Sequence, residues 1–211
     1  KDKFFSIIAH DLKNPFNSLM GFSELLLENY HEYDDYKRLE FINLIENSAH
    51  QGYELLNNLL EWSRMQTGRI SYEPVHLNLK HEVEECILLF NLSLKAKNII
   101  YELFIDEYIL VNADTHMLQA ILHNLISNAI KFSNSNDKII LSATSTNEMV
   151  FVTVKDYGIG MNNDKVNKLF KIEESFSTKG TAEEKGTGLG LILCKEFVSK
   201  HNGIIKVEST E

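Results

Sequence analysis

A histidine, an asparagine and a proline lie close together in the first apolar-periodic stretch of the chain. Apolar residues recur there every three or four positions, which predicts an amphipathic helix. These positions are Phe5, Ile8, Leu12, Pro15, Leu19, Phe22 and Leu26. His10 falls two residues after a stripe position, so we expect its imidazole on the opposite, solvent-facing side, which it shares with Asn14. Pro15 removes a helical hydrogen bond and is expected to bend the helix.

A lone exposed histidine is most often only a surface residue, so its function depends on the groups that the rest of the chain can bring to it. A second polar set lies in the helix predicted from Asp114 to Phe132. Asn124 and Asn128 share one face of that helix, although asparagine is a poor helix former. Amide oxygens can bind a hard cation such as Mg²⁺, and the ammonium of Lys131 suits phosphate. The alternative is an ordinary polar helix surface.

Two glycine-containing segments follow. Asp156, Gly158 and Gly160 come directly after a predicted strand, and an aspartate at the mouth of such a turn can accept a hydrogen bond from an adenine amino group. The same pattern also occurs in ordinary turns. The second segment begins a predicted helix, where free N–H groups bind anions. It contains Gly186, Thr187, Gly188, Leu189 and Gly190.

The second glycine segment differs from a dinucleotide-binding fingerprint, because no strand precedes it and no βαβ unit surrounds it. About 25 mostly polar residues separate the two glycine segments, and they include Phe170 and Phe176. A connection of that length inside a compact domain is typical of a functional lid or of disorder.

The elements that position these residues fall into two predicted domains, residues 1–70 and 71–211. The first domain is a hairpin of two helices, residues 1–30 and 36–66, with Asp34 or Asp35 capping the second helix. The predicted seam of the second helix consists of Ile42, Ile45, Ala49, Leu56 and Leu59. Apolar residues also lie outside the seam, so we expect two hairpins to form a four-helix bundle in a homodimer.

The second domain is predicted to be an α+β sandwich, with helices on one face of a sheet. An extended crossing at residues 72–75 precedes a helix at 78–96, and another helix is expected at 188–201. The predicted strands are residues 99–105, 108–111, 138–143, 149–155 and 204–207.

Composition narrows the classes of function. The net charge is -9 and no large Lys or Arg cluster exists, which argues against nucleic acid or an anionic membrane as the main partner. Two isolated cysteines indicate a reducing compartment. No apolar run reaches bilayer length and no signal peptide is visible. We therefore expect a cytoplasmic piece of a longer protein, without membrane contact of its own.

Taken in order, the four segments resemble the sequence boxes of sensor histidine kinases of two-component systems, over essentially all 211 residues. The histidine box is similar to residues 10–15, the asparagine box to 124–132, and the two glycine boxes to 156–160 and 186–191. Residues 169–176 match the usual phenylalanine box only loosely. The final strand of the family is missing, so we expect a truncated sheet edge.

The resemblance implies a dimeric phosphotransfer bundle followed by the ATP-binding fold shared with gyrase, heat-shock chaperone and mismatch-repair ATPases. ATP and Mg²⁺ are the implied cofactors. Adenine is expected near Asp156 and Phe132, Mg²⁺ at Asn128 with Asn124, and the phosphates at Lys131 and the second glycine box.

The resemblance also assigns catalytic roles in the first domain. His10 is the implied phosphoacceptor, Asp11 the base that orients or deprotonates it, and Asn14 the residue that orients water when a partner is dephosphorylated. The phosphoryl group is expected to pass to an aspartate of a response-regulator receiver domain.

Two other functions remain open at this point. An ATPase or chaperone of the same fold would release phosphate without labelling the protein, and it would leave His10 beside Pro15 unexplained. A degenerate dimeric scaffold would not bind nucleotide, although every asparagine and glycine of the nucleotide segments is present.

Overall fold

The structure is a computed structural model that describes residues 2–66, 71–146, 148–171, 178–182, 184 and 188–211. For residues 2–11, 54, 61, 62 and 64–66 it describes the backbone alone. The chain divides into two compact units, the first consisting of Lys1–Ile70 with Lys185–Leu189 and the second of Ser71–Glu184 with Gly190–Glu211. No helix among the described residues combines the length and the apolar character that crossing a bilayer requires.

The first unit is a hairpin of two long helices. These are α1 (Asp2–Asn29) and α2 (Asp35–Gln66). Asp34 is the cap of α2, since its Oδ1 accepts a hydrogen bond from the Lys37 backbone N–H at 2.7 Å. Arg38 closes the turn: its Nε donates to the Tyr30 carbonyl at 2.9 Å, and its guanidinium lies 4.3 Å from the Tyr30 ring centroid.

The apolar stripe predicted for α1 is confirmed from Leu12 onward. The half-buried members are Leu12, Pro15, Leu19, Phe22 and Leu26. Neighbouring Lys13 and Asn14 are exposed. The helix continues through Pro15, whose ring packs beside Gly52 of α2, and a Cβ on that glycine would lie 3.7 Å from Pro15 Cγ.

The stripe predicted for α2 is confirmed at two of its five positions, since Ile45 and Leu59 are half-buried. It is wrong at Ile42, Ala49 and Leu56, which are exposed, whereas the residue before each of them is buried. The buried set is Phe41, Ser48, Gly52 and Leu55. Ser48 is accommodated because its hydroxyl donates to the Leu44 carbonyl at 2.7 Å. Both stripes repeat every three or four residues, so spacing alone could not choose between them.

The second unit contains two small sheets and the remaining helices. In chain order the elements are β1 (Val75–Asn78), α3 (Leu79–Leu88), α4 (Asn91–Ala96), β2 (Ile100–Phe104), β3 (Leu110–Ala113), α5 (Thr115–Phe132), β4 (Lys138–Ser145), β5 (Val150–Asp156), α6 (Asn163–Val166) and α7 (Gly190–Lys200). β4 is the centre of one sheet, parallel to β2 and antiparallel to β5, whereas β1 and β3 form an antiparallel pair.

Helices cover one face of the larger sheet. Ile139 and Leu141 of β4 are each 1% exposed and belong to the same core as residues of α3 and α5. On the other face, Ile100, Phe104 and Phe151 are more than half exposed. This arrangement confirms the predicted sandwich of helices on a single sheet face.

Two details of the predicted second domain are wrong. The helix expected at 78–96 is two helices, because the chain turns at Leu89 and Phe90, whose N–H groups donate to Cys86 and Ile87 carbonyls. The strand expected at 204–207 does not form among the described residues. That segment alternates in exposure like a strand, but Ser209 beyond it bonds to a turn, with its hydroxyl accepting from Met161 N–H at 2.9 Å.

Asp114 caps α5 and joins three parts of the second unit. Its carboxylate accepts hydrogen bonds from the N–H groups of Met117 and Glu73, each at 3.1 Å. Its own N–H donates at 3.0 Å to Nε2 of His201, so the Nδ1 of that ring carries the proton and donates to the Phe197 carbonyl at 2.7 Å. The start of α5 is thereby tied to the segment before β1 and to the end of α7.

We predict that Asp114→Ala lowers the free energy of unfolding of the second unit by about 1–2 kcal/mol at pH 7, because two N–H groups lose their acceptor. Burial acts to raise the pKa of Asp114, but these hydrogen bonds outweigh it and the pKa lies below 3.8. The stabilisation is therefore present at neutral pH and is lost as the pH falls through the lowered pKa. Urea unfolding followed by circular dichroism measures the difference.

Asp114→Asn is the matched control, since it keeps one acceptor oxygen and should fall between the wild type and Asp114→Ala. Equal stability of all three proteins at pH 7 would contradict the capping role.

Candidate functional site

The asparagine helix, α5, presents three polar residues on one face. Asn124, Asn128 and Lys131 are all half-buried. The amide of Asn124 is already engaged, because its Nδ2 donates to the Ala120 carbonyl at 2.9 Å. Lys131 extends over the neighbouring ring of Phe132, with Nζ 4.8 Å from the centroid. The three side chains therefore place two amides and one ammonium along the same face of α5.

The first glycine segment is a turn that docks on the end of α5. Asp156 ends β5, and its Oδ1 accepts from the Gly158 N–H at 3.0 Å. The next N–H, that of Ile159, donates to the Phe132 carbonyl at 3.1 Å. A Cβ on Gly158 would overlap that same carbonyl, so close approach requires glycine there. Asp156 remains exposed, and its Oδ2 can accept a hydrogen bond from a ligand.

Gly160 completes this turn with a left-handed backbone, at φ +63°. Glycine adopts that conformation without the steric cost that a side chain brings. A Cβ would also overlap the Thr210 carbonyl. The C-terminal segment therefore lies directly against the turn that follows Asp156.

Gly190, the last residue of the second glycine segment, lies against α5. Gly188 has φ +69°, and Gly190 is the first residue of α7. A Cβ on Gly190 would overlap Oδ1 of Asn124, so the helix start lies against the asparagine helix. Leu189 between them is buried. Gly186 and Thr187 lie outside the described residues.

The geometry brings residues of two separate predicted segments to one helix. Asn124 contacts the second glycine segment, and Phe132 contacts the first. The first N–H groups of an α-helix have no partner within the helix and lie at the positive end of its dipole, so the start of α7 is suited to phosphate. An exposed aspartate lies at the other end of the arrangement. Such a site can hold a nucleotide by its base and by its phosphates.

The histidine box lies in α1 of the first unit. The backbones of His10 and Asp11 are helical, and their side chains lie outside the described part of the chain. Asn14 is exposed one turn after His10, between half-buried Leu12 and Pro15. The solvent-facing side predicted for Asn14 is thereby confirmed.

The sequence did not reveal the buried lysine that lies at the C-terminal end of α5. Lys97 follows α4 and is only 9% exposed, yet its ammonium contacts carbonyl groups at the end of α5. Nothing in its sequence neighbourhood distinguishes it from a surface lysine. The partners that bury it, Thr181 and Glu184, lie more than 80 residues away in the chain.

An asparagine helix and two glycine segments on an α/β sandwich, preceded by a helical hairpin, define the class of histidine kinase-type ATPases. Comparison with protein families gives the same class. Residues 113–211 match the histidine kinase-, DNA gyrase B- and HSP90-like ATPase family. Residues 1–68 match the His Kinase A (phospho-acceptor) domain.

The two family models together match more than three quarters of the chain, which belongs to the sensor histidine kinases of two-component systems. The chain thus pairs a phospho-acceptor domain with a domain of the ATPase family. An uncharacterized sensor-like histidine kinase of Rhizobium meliloti (strain 1021) is 28% identical over 213 residues, covering 100% of this chain and 41% of the relative. The chain spans less than half the length of the curated relatives that it matches.

Solved structures share the fold. Acinetobacter baumannii histidine kinase AdeS superimposes with a TM-score of 0.69 at 21% identity, covering 90% of this chain and 86% of AdeS. Histidine kinase ThkA, solved in complex with response regulator protein TrrA, has a TM-score of 0.68 at 24% identity, covering 94% of this chain and 55% of that chain. At these identities the likeness concerns the fold alone.

We predict that Gly158→Ala lowers the free energy of unfolding by roughly 1–3 kcal/mol and weakens binding of a fluorescent ATP analogue, because the turn must move away from Phe132. Gly21→Ala in α1 is the control. A Cβ there meets nothing within 4 Å, and alanine should stabilise the helix by up to about 1 kcal/mol. Unchanged stability and unchanged binding in Gly158→Ala would contradict the docking of this turn on α5.

Proposed function

We propose that this chain transfers the γ-phosphoryl group of ATP to His10, from which it passes to an aspartate of a response-regulator receiver domain. The observation that carries the proposal is the meeting of both glycine segments on α5, in a chain that also has a phospho-acceptor hairpin. The complex of ThkA with response regulator protein TrrA supports a partner of this kind. ATP and response regulators are cytoplasmic, so we assign the reaction to that compartment.

The nucleotide would bind along α5. Its adenine amino group would donate to Asp156 next to Phe132, and its phosphates would accept from Lys131 and from the N–H groups at the start of α7. The second glycine segment as a whole, residues 186–190, would line the phosphates. Phosphoryl transfer needs mainly positioning and charge neutralisation, which these groups supply.

Asn128 is the residue that we assign to Mg²⁺. An amide oxygen is a ligand that this hard cation accepts, and the ion usually completes its shell with water and substrate phosphates. Bound Mg²⁺ supplies charge neutralisation at the phosphates. Asn124 has a different part, because its Nδ2 bonds to Ala120 and its Oδ1 faces Gly190. We infer that Asn124 positions the second glycine segment and contributes less to the metal.

In the transfer step, Nε2 of neutral His10 forms a bond to the γ-phosphorus while the bond to the bridging oxygen breaks and ADP leaves. Asp11 would accept the proton from Nδ1, as in the family that the chain resembles. Successive residues of a helix do not face each other, so their side-chain rotamers or a bend at Pro15 must bring the two groups together. Asn14 is exposed on the same side and would orient water for dephosphorylation of the partner.

A homodimer would cover the outer face of the hairpin. Large apolar side chains on this face are exposed, although removing apolar area from water would lower the free energy. They are Phe16, Met20, Leu27, Leu39, Ile42, Tyr53, Leu56 and Leu60. Three of the predicted seam residues of α2 are exposed, and Ile42 and Leu56 join this outer set. Two such hairpins can bury these residues in a four-helix bundle.

We predict that His10→Ala abolishes uptake of label from γ-labelled ATP and leaves ATP binding unchanged, since only the acceptor is removed. His31→Ala, at an exposed histidine after α1, should keep full labelling. Asn128→Ala should lose both labelling and Mg²⁺-dependent binding. Labelling by autoradiography and binding of a fluorescent ATP analogue measure the two properties. Persistent labelling of His10→Ala would refute the assignment.

We predict that Asn14→Ala spares autophosphorylation and slows dephosphorylation of a phosphorylated receiver domain by at least about tenfold, because the water loses its orienting group. Asn17→Ala, an exposed asparagine on the same helix, is the matched control. Phosphate release from the labelled receiver domain measures the rate. An Asn14→Ala rate equal to that of Asn17→Ala would exclude this role.

A further inference from the structure

Lys97 has an unusual environment for a lysine. The residue follows α4 and is 9% exposed. Five oxygen atoms surround its ammonium group. They are Glu184 Oε1 at 2.7 Å, Thr181 Oγ1 at 2.8 Å, and the carbonyl oxygens of Ile130 at 2.9 Å, Lys131 at 3.0 Å and Ser133 at 3.4 Å. A buried ammonium is tolerated only when it is paired and hydrogen-bonded, and both conditions hold here.

The three carbonyl groups belong to the last turn and the cap of α5. Carbonyls at a helix C-terminus lack partners within the helix and lie at the negative end of its dipole. A cation there both satisfies them and gains from the dipole. Lys97 therefore stabilises the part of α5 that carries Lys131 and Phe132, the residues that we assign to phosphate and adenine.

Four described residues of the next segment lie at the same place and are held there by bonds of their own: Gly180, Thr181, Ala182 and Glu184. Thr181 N–H donates to the Lys131 carbonyl at 3.0 Å, and its hydroxyl bonds to the Ser133 carbonyl at 2.5 Å. Glu184 Oε2 accepts from the Ala182 N–H at 2.8 Å. A Cβ on Gly180 would overlap the Glu184 carboxylate and would lie 2.7 Å from the Lys131 carbonyl. The segment therefore fits closely against the end of α5.

The carboxylate of Glu184 is charged in this arrangement. Partial burial acts to raise its pKa, but the hydrogen bond and the charge of Lys97 outweigh burial, and the pKa lies below the ordinary value of 4.5. The ion pair is thus intact at neutral pH.

We propose that Lys97 is a positioning residue for ATP: it joins the carbonyl end of α5 to Glu184, shortly before the second glycine segment, and so fixes the groups that hold the nucleotide. Lys97 itself would not contact ATP, since in the described part of the chain its ammonium is already surrounded by five protein oxygens. The inference depends on the proposed nucleotide site. It adds to the nucleotide site a residue that lies outside the asparagine box and both glycine boxes.

The test compares Lys97→Met with Lys95→Met, an exposed lysine of α4, in the full chain. We expect Lys97→Met to raise the Kd for ATP and the KM for labelling by about tenfold. Removing a residue that orients a metal ligand has an effect of similar size. Labelling at saturating ATP should stay within about twofold, because Lys97 does not touch the reacting atoms. Lys95→Met should match the wild type in every property.

A merely structural role gives a different result. If Lys97→Met only reduced the folded fraction, the amplitude of binding would fall while the Kd of the remaining protein stayed at the wild-type value, and the inference would be wrong. Thr181→Val keeps the shape of the side chain and loses the hydroxyl, so it should raise the Kd in the same direction by a smaller factor. An unchanged Kd in both variants would also overturn the inference.

Different results would exclude the proposed function and the positioning role of Lys97. A wild-type chain that binds no ATP would end the proposed function and the role of Lys97 with it. A wild-type chain that binds ATP, together with a Lys97→Met variant of equal Kd, would leave the proposed function intact and remove only the positioning role.

Discussion

The carbonyl groups at the C-terminal end of α5 are the constraint around which the candidate site is built. The helix ends at Phe132, so its last carbonyls need hydrogen-bond donors from elsewhere. Ile159 supplies an N–H to Phe132, Thr181 supplies one to Lys131, and Lys97 supplies an ammonium. Each donor comes from a different part of the chain. Satisfying one helix end thus brings the first glycine turn, Thr181 and Glu184 beside the asparagine helix.

Much of the fold could be predicted because it depends on local patterns. The apolar spacing of α1, the cap of α2, predicted at Asp34 or Asp35, and the helix predicted from Asp114 all follow from neighbouring residues. The errors occur where a tertiary choice decides. In α2 two stripes have the same spacing, and the buried one includes Ser48 and also Gly52, which lies beside Pro15 of α1. The segment after α7 has the alternation of a strand, yet it packs against a turn.

The candidate site was predictable to the extent that its residues form motifs. The glycines stood out in the sequence, and the structure supplies the reasons: Gly158 allows contact with the Phe132 carbonyl, and Gly190 allows contact with Asn124. The resemblance to sensor histidine kinases is confirmed by the family models. Lys97 could not be found in this way, because its five oxygen partners come together only when residues far apart in sequence fold against each other.

The central claim is that ATP bound at the nucleotide site gives its γ-phosphoryl group to His10. The most direct measurement is incubation of the chain with γ-labelled ATP and Mg²⁺, followed by acid or base treatment and mapping of the labelled peptide. A phosphohistidine at residue 10 predicts label that survives base, is lost in acid and maps to the peptide that contains His10. Label that survives acid, label on another peptide, or phosphate release from ATP without any labelled protein would contradict the account.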